Sequence, residues 1–380
     1  MRSGPLSKIR IVEFAGIGPT PFAAMMLADM GADIIRIDRP DGPTVSAGSP
    51  TLDVLNRSRR SIALDLKERT SIKVAMKLCA AADVILEGFR PGVMERLGFG
   101  PDVLREANPG LVYARMTGWG QAGPLAQKAG HDINYMAQSG ALSLIGDVAS
   151  PPIPPLNLVA DFGGGATFVV VGILAALVER QGSGLGQVVD AAMVDGAALL
   201  TAQVHGWRRM GFWGDQRSNN LLDGAAYFYR CYETADDGFL AVGAIEPQFH
   251  AAFIAGLGLS LDEFDRQLDR SLWTERSQRI AAIIATRSRD DWVAQFDGLD
   301  ACVTAVLTLD EAAHDPANRE RQMLSEIDGS LQPMPAPRFD RTPGAVWRSP
   351  SASGADNDAI LAALERHARW PPIDFKSTGE

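Results

Sequence analysis

The sequence is short of the features that mark several common protein classes. Cysteine is scarce. Cys79, Cys231 and Cys302 are odd in number, widely spaced and without a metal-ligand pattern, which points to reduced thiols in a cytosol and to no metal site. Positive charge is also lacking. A net charge of −10 argues against a nucleic-acid partner for the molecule as a whole. The first residues, Met1-Arg2-Ser3-Gly4-Pro5, form no apolar signal segment, and the expected location is cytoplasmic. The longest apolar run, Ala166–Val178, stops at Glu179-Arg180; it is too short to span a bilayer and reads as a buried core helix, so no membrane partner is expected. No Gly-x-Ser-x-Gly elbow occurs, which disfavours a Ser–His–Asp hydrolase.

What is present describes a soluble α/β protein. Its 380 residues, 46% hydrophobic and 22% charged, suggest about two domains. Ile9–Phe14 reads as a strand, Pro21–Met30 as a helix and Ala32–Ile37 as a second strand. Such a strand–helix–strand unit predicts a parallel sheet. Ser61–Leu64, Asp83–Leu86 and Leu111–Met116 continue the strands, with Glu68–Ala82 as a helix and Gln187–Ala191 as a further strand. From Tyr227 the character changes. Two strands, Tyr227–Glu233 and Gly238–Gly243, flank a Thr-Ala-Asp-Asp-Gly turn, and charged helical stretches follow to about Ala313. Pro333–Pro343 reads as extended, and Asp356–His367 as a last helix. The expected division is a large discontinuous domain of residues 1–200 and 325–380, a linker over 201–225 and a small α+β domain over 226–324.

The opening unit invites a nicotinamide reading, since Asp38 lies where a ribose-binding acid belongs. The third glycine of that fingerprint is missing, however: Pro19-Thr20-Pro21 follows Gly16-Ile17-Gly18. A tight strand-to-helix turn is the better reading. Residues 1–100 hold 14 Lys and Arg against 11 Asp and Glu, so an anionic ligand finds its counter-charges there. Arg39, Arg57, Arg59, Arg60, Lys67, Arg90 and Arg96 fall at expected loop or strand ends, where guanidinium groups bind phosphates or stack on a purine.

Three segments carry acid–base chemistry. His131, within Gly130-His131-Asp132-Ile133-Asn134-Tyr135 and after the Gly118–Pro124 loop, is a general-base candidate; taken alone it is equally a structural histidine. Asp161 stands before three glycines and the apolar helix. Its readings are a helix N-cap, a second acid–base group or a nucleophile. Glu246 follows an apolar strand and can orient a histidine.

Together these segments resemble the family III CoA-transferase superfamily, over roughly residues 5–345. The matching runs are Gly16–Pro21 with Ile37–Pro40, Tyr113–Gly120, Gly130–Tyr135, Pro155–Leu158 with Asp161, Gln187–Gly196 and Val242–Phe249. The Gly130–Tyr135 run favours its racemases over its transferases. The resemblance implies a large Rossmann-like domain with a parallel sheet plus a smaller α+β domain, and two chains interlocked as a homodimer. It implies that Arg39, Leu64-Asp65-Leu66-Lys67 and Gly130–Tyr135, including Asp132, Ile133 and Asn134, bind the coenzyme A ester. His131 and Asp161 would be the catalytic pair and Glu246 the partner of the histidine. The activity implied is interconversion of (R)- and (S)-2-methylacyl-CoA without a cofactor, coenzyme A being part of the substrate. The alternative is CoA transfer with Asp161 as nucleophile. Two departures stand out: Asp223-Gly224-Ala225-Ala226-Tyr227 where racemases read Gly-Gly-Ala-Pro, in a segment expected near the acyl pocket, and Thr304-Ala305-Val306 for Thr-Pro-Val.

Overall fold

The computed structural model describes residues 3–41, 50–366 and 370–372. The chain divides into two compact units. The first comprises Met1–Ser139, Pro155–Leu200 and Arg319–Glu380; the second comprises Gly140–Pro154 and Thr201–Asn318. The stretch Gly140–Pro154 and the expected linker 201–225 therefore both group with the second unit.

In the first unit the elements run β1 (Arg10–Phe14), α1 (Pro19–Asp29), β2 (Asp33–Asp38), β3 (Arg60–Ala63), α2 (Arg69–Ala81), β4 (Val84–Glu87), α3 (Val93–Arg96), α4 (Pro101–Ala107), β5 (Val112–Thr117), α5 (Asp132–Ser139), a π-helix (Leu158–Ala166), α6 (Thr167–Ser183), β6 (Val188–Ala192) and α7 (Met193–Leu200). The sheet is six-stranded and parallel, in the order β3-β2-β1-β4-β5-β6. Helices cover such a sheet, so its strands are buried on both faces and read as apolar runs. β2, β4 and β5 are buried at every position. Small residues let α1 lie close on the sheet: Ala23, Ala24 and Ala28 are fully buried with Leu27.

Full burial of charged strand ends demands partners. Arg57 pairs with Asp29 and donates to Gln332 and the Pro333 carbonyl. Arg59 pairs with Glu13, and Arg60 pairs with Asp33 while donating to the Pro371 carbonyl. These three arginines are structural. That corrects the expectation that they stand free for phosphates. Asp38 is likewise engaged, by Arg36 Nε at 2.8 and 3.0 Å and by Ser61 Oγ at 2.5 Å, which leaves little of it for a ribose diol.

The apolar run sits in a longer helix than its composition suggested. The helical segment Leu158–Ser183 has 26 residues and is long and apolar enough, by length and composition, to cross a membrane. Here α6 packs on β5, β6 and α1, with Val169, Val170, Ile173, Ala176 and Leu177 buried and Val171 and Val178 exposed.

In the second unit α8 (Ala202–Met210) precedes β7 (Tyr229–Glu233) and β8 (Phe239–Gly243), which form the expected antiparallel hairpin. Next come α9 (Pro247–Gly256), α10 (Trp273–Ile284), α11 (Arg289–Phe296) and β9 (Val303–Ala305), the third strand of that sheet. The Thr304–Val306 departure falls on this short strand. The core is aromatic: Tyr227, Phe228, Phe253, Trp273, Trp292 and Phe296 are buried in one cluster. Ala226 and Tyr227 are wholly inside it. The Tyr227 ring packs in the core of this unit.

α12 (Leu309–His314) and α13 (Pro316–Glu320) lead to a hairpin, β10 (Leu324–Ile327) with β11 (Ser330–Pro333), and then to α14 (Asn357–Glu365). α14 returns to β3 and α2; His367, the expected end of this helix, lies outside the described residues.

Candidate functional site

The order of the sheet locates the site. The chain runs from β1 outward to β3 and then crosses to β4 on the other side of β1. At such a switch point the connections leave in opposite directions and open a crevice beyond the carboxyl ends of the strands. A cavity of about 490 Å³ lies there, walled by residues 17–20 after β1, 88–91 after β4, 116–119 at the end of β5 and 128–131 before α5, with Tyr135, Asp161 and Met193.

The loop carrying His131 is fixed by two aromatic side chains. Trp119 and Tyr135 meet edge to face at 4.7 Å between ring centroids. Trp119 Nε1 donates to the Lys128 carbonyl at 3.1 Å, and Tyr135 Oη donates to the Gly130 carbonyl at 2.5 Å. Gly118 is obligatory, because a Cβ there would fall 2.2 Å from the Tyr135 ring. His131 is exposed at the cavity wall immediately before α5, as expected of a histidine starting a helix. Its N–H donates to Asn134 Oδ1 at 3.0 Å, so Asn134 is occupied in capping α5.

Asp161 occupies the first turn of the π-helix, a wide helical form frequent at functional sites. The three glycines permit this. α7 crosses the π-helix so closely that a Cβ on Gly196 would stand 1.8 Å from the Gly164 carbonyl oxygen. Phe162 stacks on Phe22 of α1 at 4.3 Å, fixing the next residue. Burial, and then the Asp132 carboxylate, push the Asp161 carboxyl up to about 6, against a hydrogen bond from Asn157. Burial and the Asp161 charge likewise lift the Tyr135 hydroxyl to about 12.

The structure gathers His131, Asp161, Gly130, Tyr135 and Arg90 on one wall. Asp132 lies buried behind it. Ile133, Asn134, Arg96, Arg39 and the Leu64–Lys67 turn are not part of the wall. Arg39 and Lys67 are exposed and follow β2 and β3, at the same carboxyl edge of the sheet. The Leu64 side chain is in the core, and its N–H donates to the Asp38 carbonyl. Glu246 belongs to the second unit, exposed at the residue before α9. Sequence reasoning missed Lys128, Thr20, Gly88, Phe89 and Met193. Lys128 was findable, three residues before His131; the others come from distant turns that only the sheet order unites. Among the described residues no three His, Cys, Asp or Glu side chains gather to hold a metal ion.

Known proteins share this architecture. Residues 6–357 match the model of CoA-transferase family III. The chain is 47% identical over 349 residues to the alpha-methylacyl-CoA racemase of Mus musculus, covering 91% of this chain and 90% of the mouse protein. It is 45% identical to the Homo sapiens protein of the same name over 339 residues, 89% and 87% of the two chains. In fold it is similar to a CAIB/BAIF family protein from Brucella suis, with a TM-score of 0.83 and 24% identity over 96% of this chain and all of that one. With nearly its whole length matched, the chain belongs to CoA-transferase family III.

Proposed function

We propose that the chain interconverts the (R) and (S) forms of a 2-methylacyl-CoA thioester, with His131 and Asp161 as the two proton carriers. The observation that carries this reading is that both side chains line one cavity, Asp161 with its carboxyl raised to about 6. The names of the mouse and human relatives support it.

In one direction the His131 imidazole takes the α-proton. The C–H bond breaks and its electron pair moves toward the thioester carbonyl, giving an enolate. Protonated Asp161 then delivers its proton to the opposite face, yielding the other enantiomer, a carboxylate and an imidazolium. The reverse turnover starts from that state. A carboxyl that titrates near 6 suits both roles close to neutrality. The first N–H groups of α5, at Asp132 and Ile133, supply positive potential for the enolate oxygen. Only a proton moves, so the reaction as written requires no metal or redox cofactor; coenzyme A is part of the substrate. Arg90 and Lys128 supply charge at the cavity, and the phosphates extend along the carboxyl edge toward Arg39 and Lys67. Arg96 and the main chain of Asp65 and Leu66 stand as further contacts along that path. Glu246 orients the imidazole in this scheme, and the working form is a homodimer, supported by the exposed apolar residues Val171, Val178, Leu199 and Leu200 on α6 and α7.

The test is one enantiomer of a 2-methylacyl-CoA in deuterated water. Deuterium at the α-carbon together with the opposite enantiomer is expected. Transfer of CoA to an added carboxylate without exchange would overturn the reading. His131→Ala should lower exchange ~100-fold or more, and first for the enantiomer whose proton His131 removes.

A further inference from the structure

The Asp132 side chain has no part in the proton transfers just described, yet it is one of the more unusual groups near the cavity. It is 4% exposed. Its Oδ2 accepts the N–H of Ala160 at 2.7 Å and that of Asp161 at 2.8 Å. Its Oδ1 is buried without a hydrogen-bond partner. The residue that precedes the π-helix, Asn157, makes no side-chain cap bond. The opening N–H groups of that helix are thus met in part from α5, 28 and 29 residues earlier in the chain, by the residue next to His131. A carboxylate that accepts N–H groups at a helix N-terminus interacts favourably with the dipole and with those donors, while a buried oxygen left without a partner costs stability.

We propose that Asp132 is a positioning residue that ties the main chain of Asp161 to the segment bearing His131 and places a fixed negative charge against the Asp161 carboxyl. Two consequences follow from one contact. The spacing between the two proton carriers is set by the Asp132 side chain, which accepts the main-chain N–H groups of Ala160 and Asp161 beside His131. The like charge also favours the acid form of Asp161, the form that must donate. The upward shift of Asp161, due first to burial and second to Asp132, agrees with this.

Few other charges oppose it. From the α5 side Asp161 meets His131, Asp132 and Tyr135. The same cavity wall brings Arg90 and Lys128. α1 carries no titratable side chain before Asp29 at its far end. On α7 the titratable residue is Asp195, which is exposed. β5 contributes Arg115, already paired with Glu87 and Glu95. β6 contributes Asp190, which accepts the Gln121 N–H. α6 bears Glu179 and Arg180 in its last turns, and Arg180 pairs with Asp83.

This inference rests on the proposed acid–base roles, so its test is made independent of turnover. The full chain is labelled with carboxyl-¹³C aspartate, the Asp161 signal is identified by its loss in D161N, and its titration is followed by NMR. In D132N an amide oxygen can still accept both N–H groups, while the charge is gone. The Asp161 midpoint should then fall by about one unit. An unmoved midpoint in folded D132N would overturn the proposal. Should D132N not fold, D132E carries the test: a retained charge should keep the midpoint near its wild-type value while Ala160 and Asp161 amide exchange quickens, and unchanged amide exchange would count against the tie. A midpoint that falls as expected in a protein giving no α-deuterium exchange would instead sink the racemase reading and leave this one standing.

Discussion

The two units solve the problem of buried polar groups in opposite ways. In the first, β1, β2, β3, the end of α1 and the segment before β3 bring charged residues into the interior, and each is matched by an opposite charge: Glu13 with Arg59, Asp29 with Arg57, Asp33 with Arg60. Burial still raises the Glu13 and Asp29 carboxyls and lowers the Arg59 guanidinium, so desolvation outweighs the pairing. In the second unit the aromatic core holds a neutral group. His250 is 3% exposed and hydrogen-bonds Tyr227 Oη at 2.7 Å, with Arg276 donating to the same hydroxyl at 3.3 Å. Burial, helped by Arg276, pushes His250 down to about 4. At the carboxyl edge of the parallel sheet, where the cavity lies, Arg39, Lys67 and Arg90 follow β2, β3 and β4. An aromatic core has no such edge.

Removing one partner of a buried pair is the most severe way to test this contrast. Glu13→Ala strands Arg59 as a fully buried cation and should cost ~3–5 kcal/mol, read as a lower denaturant midpoint. Replacing Glu13 and Arg59 together by Met should recover most of that loss. If the single change costs no more than a surface substitution, charge pairing does not hold the first unit together.

Acid distinguishes the units by sign. His250 has a folded value of about 4 against an ordinary 6.5. The unfolded chain takes the proton first, so this stability is present above 6.5 and lost as pH falls toward 4, by ~3 kcal/mol at most. Glu87 in the first unit is raised by burial from 4.5 to about 6. There the folded state takes the proton first, and stability is gained as pH falls over 6 to 4.5. Hydrogen exchange followed from pH 7 to 4.5 should therefore quicken around β7, β8 and α9 before β4 and β5. The reverse order would break the comparison, and His250→Gln should flatten the acid response of the second unit.

A smaller change probes the same network. Tyr227→Phe removes the hydroxyl shared by His250 and Arg276 while keeping the packed ring, and should cost ~1–2 kcal/mol. Calorimetry would read this as a modest loss. No loss would mean that the aromatic packing suffices and the polar relay is incidental.

Much of the first unit was legible because its signals are local. The β1–α1–β2 turn was read from Pro19, Pro21 and Gly31 around an apolar run, and the hairpin of the second unit from its Asp-Asp-Gly turn. β9 was missed because three residues carry little periodicity, and β10–β11 because Pro333 closes the hairpin and reads as tail. At the site, His131 and Asp161 were found by residue type and resemblance. Arg57, Arg59 and Arg60 misled for a specific reason. An arginine at a strand end looks the same in sequence whether solvent or a carboxylate awaits it.

By itself the sequence determined the α/β class and the family, and it pointed to the two residues proposed as proton carriers, since these readings depend on near neighbours and on motifs of a few residues. The tertiary structure decided which charges are spent: Arg57 finds Gln332 across 275 residues, and Arg60 finds the Pro371 carbonyl across 311. It also decided that Asp161 sits in a π-helix whose N–H groups are held by Asp132, the residue after His131. Burial and pairing are properties of the space around a side chain, and that space is filled by residues far away along the chain.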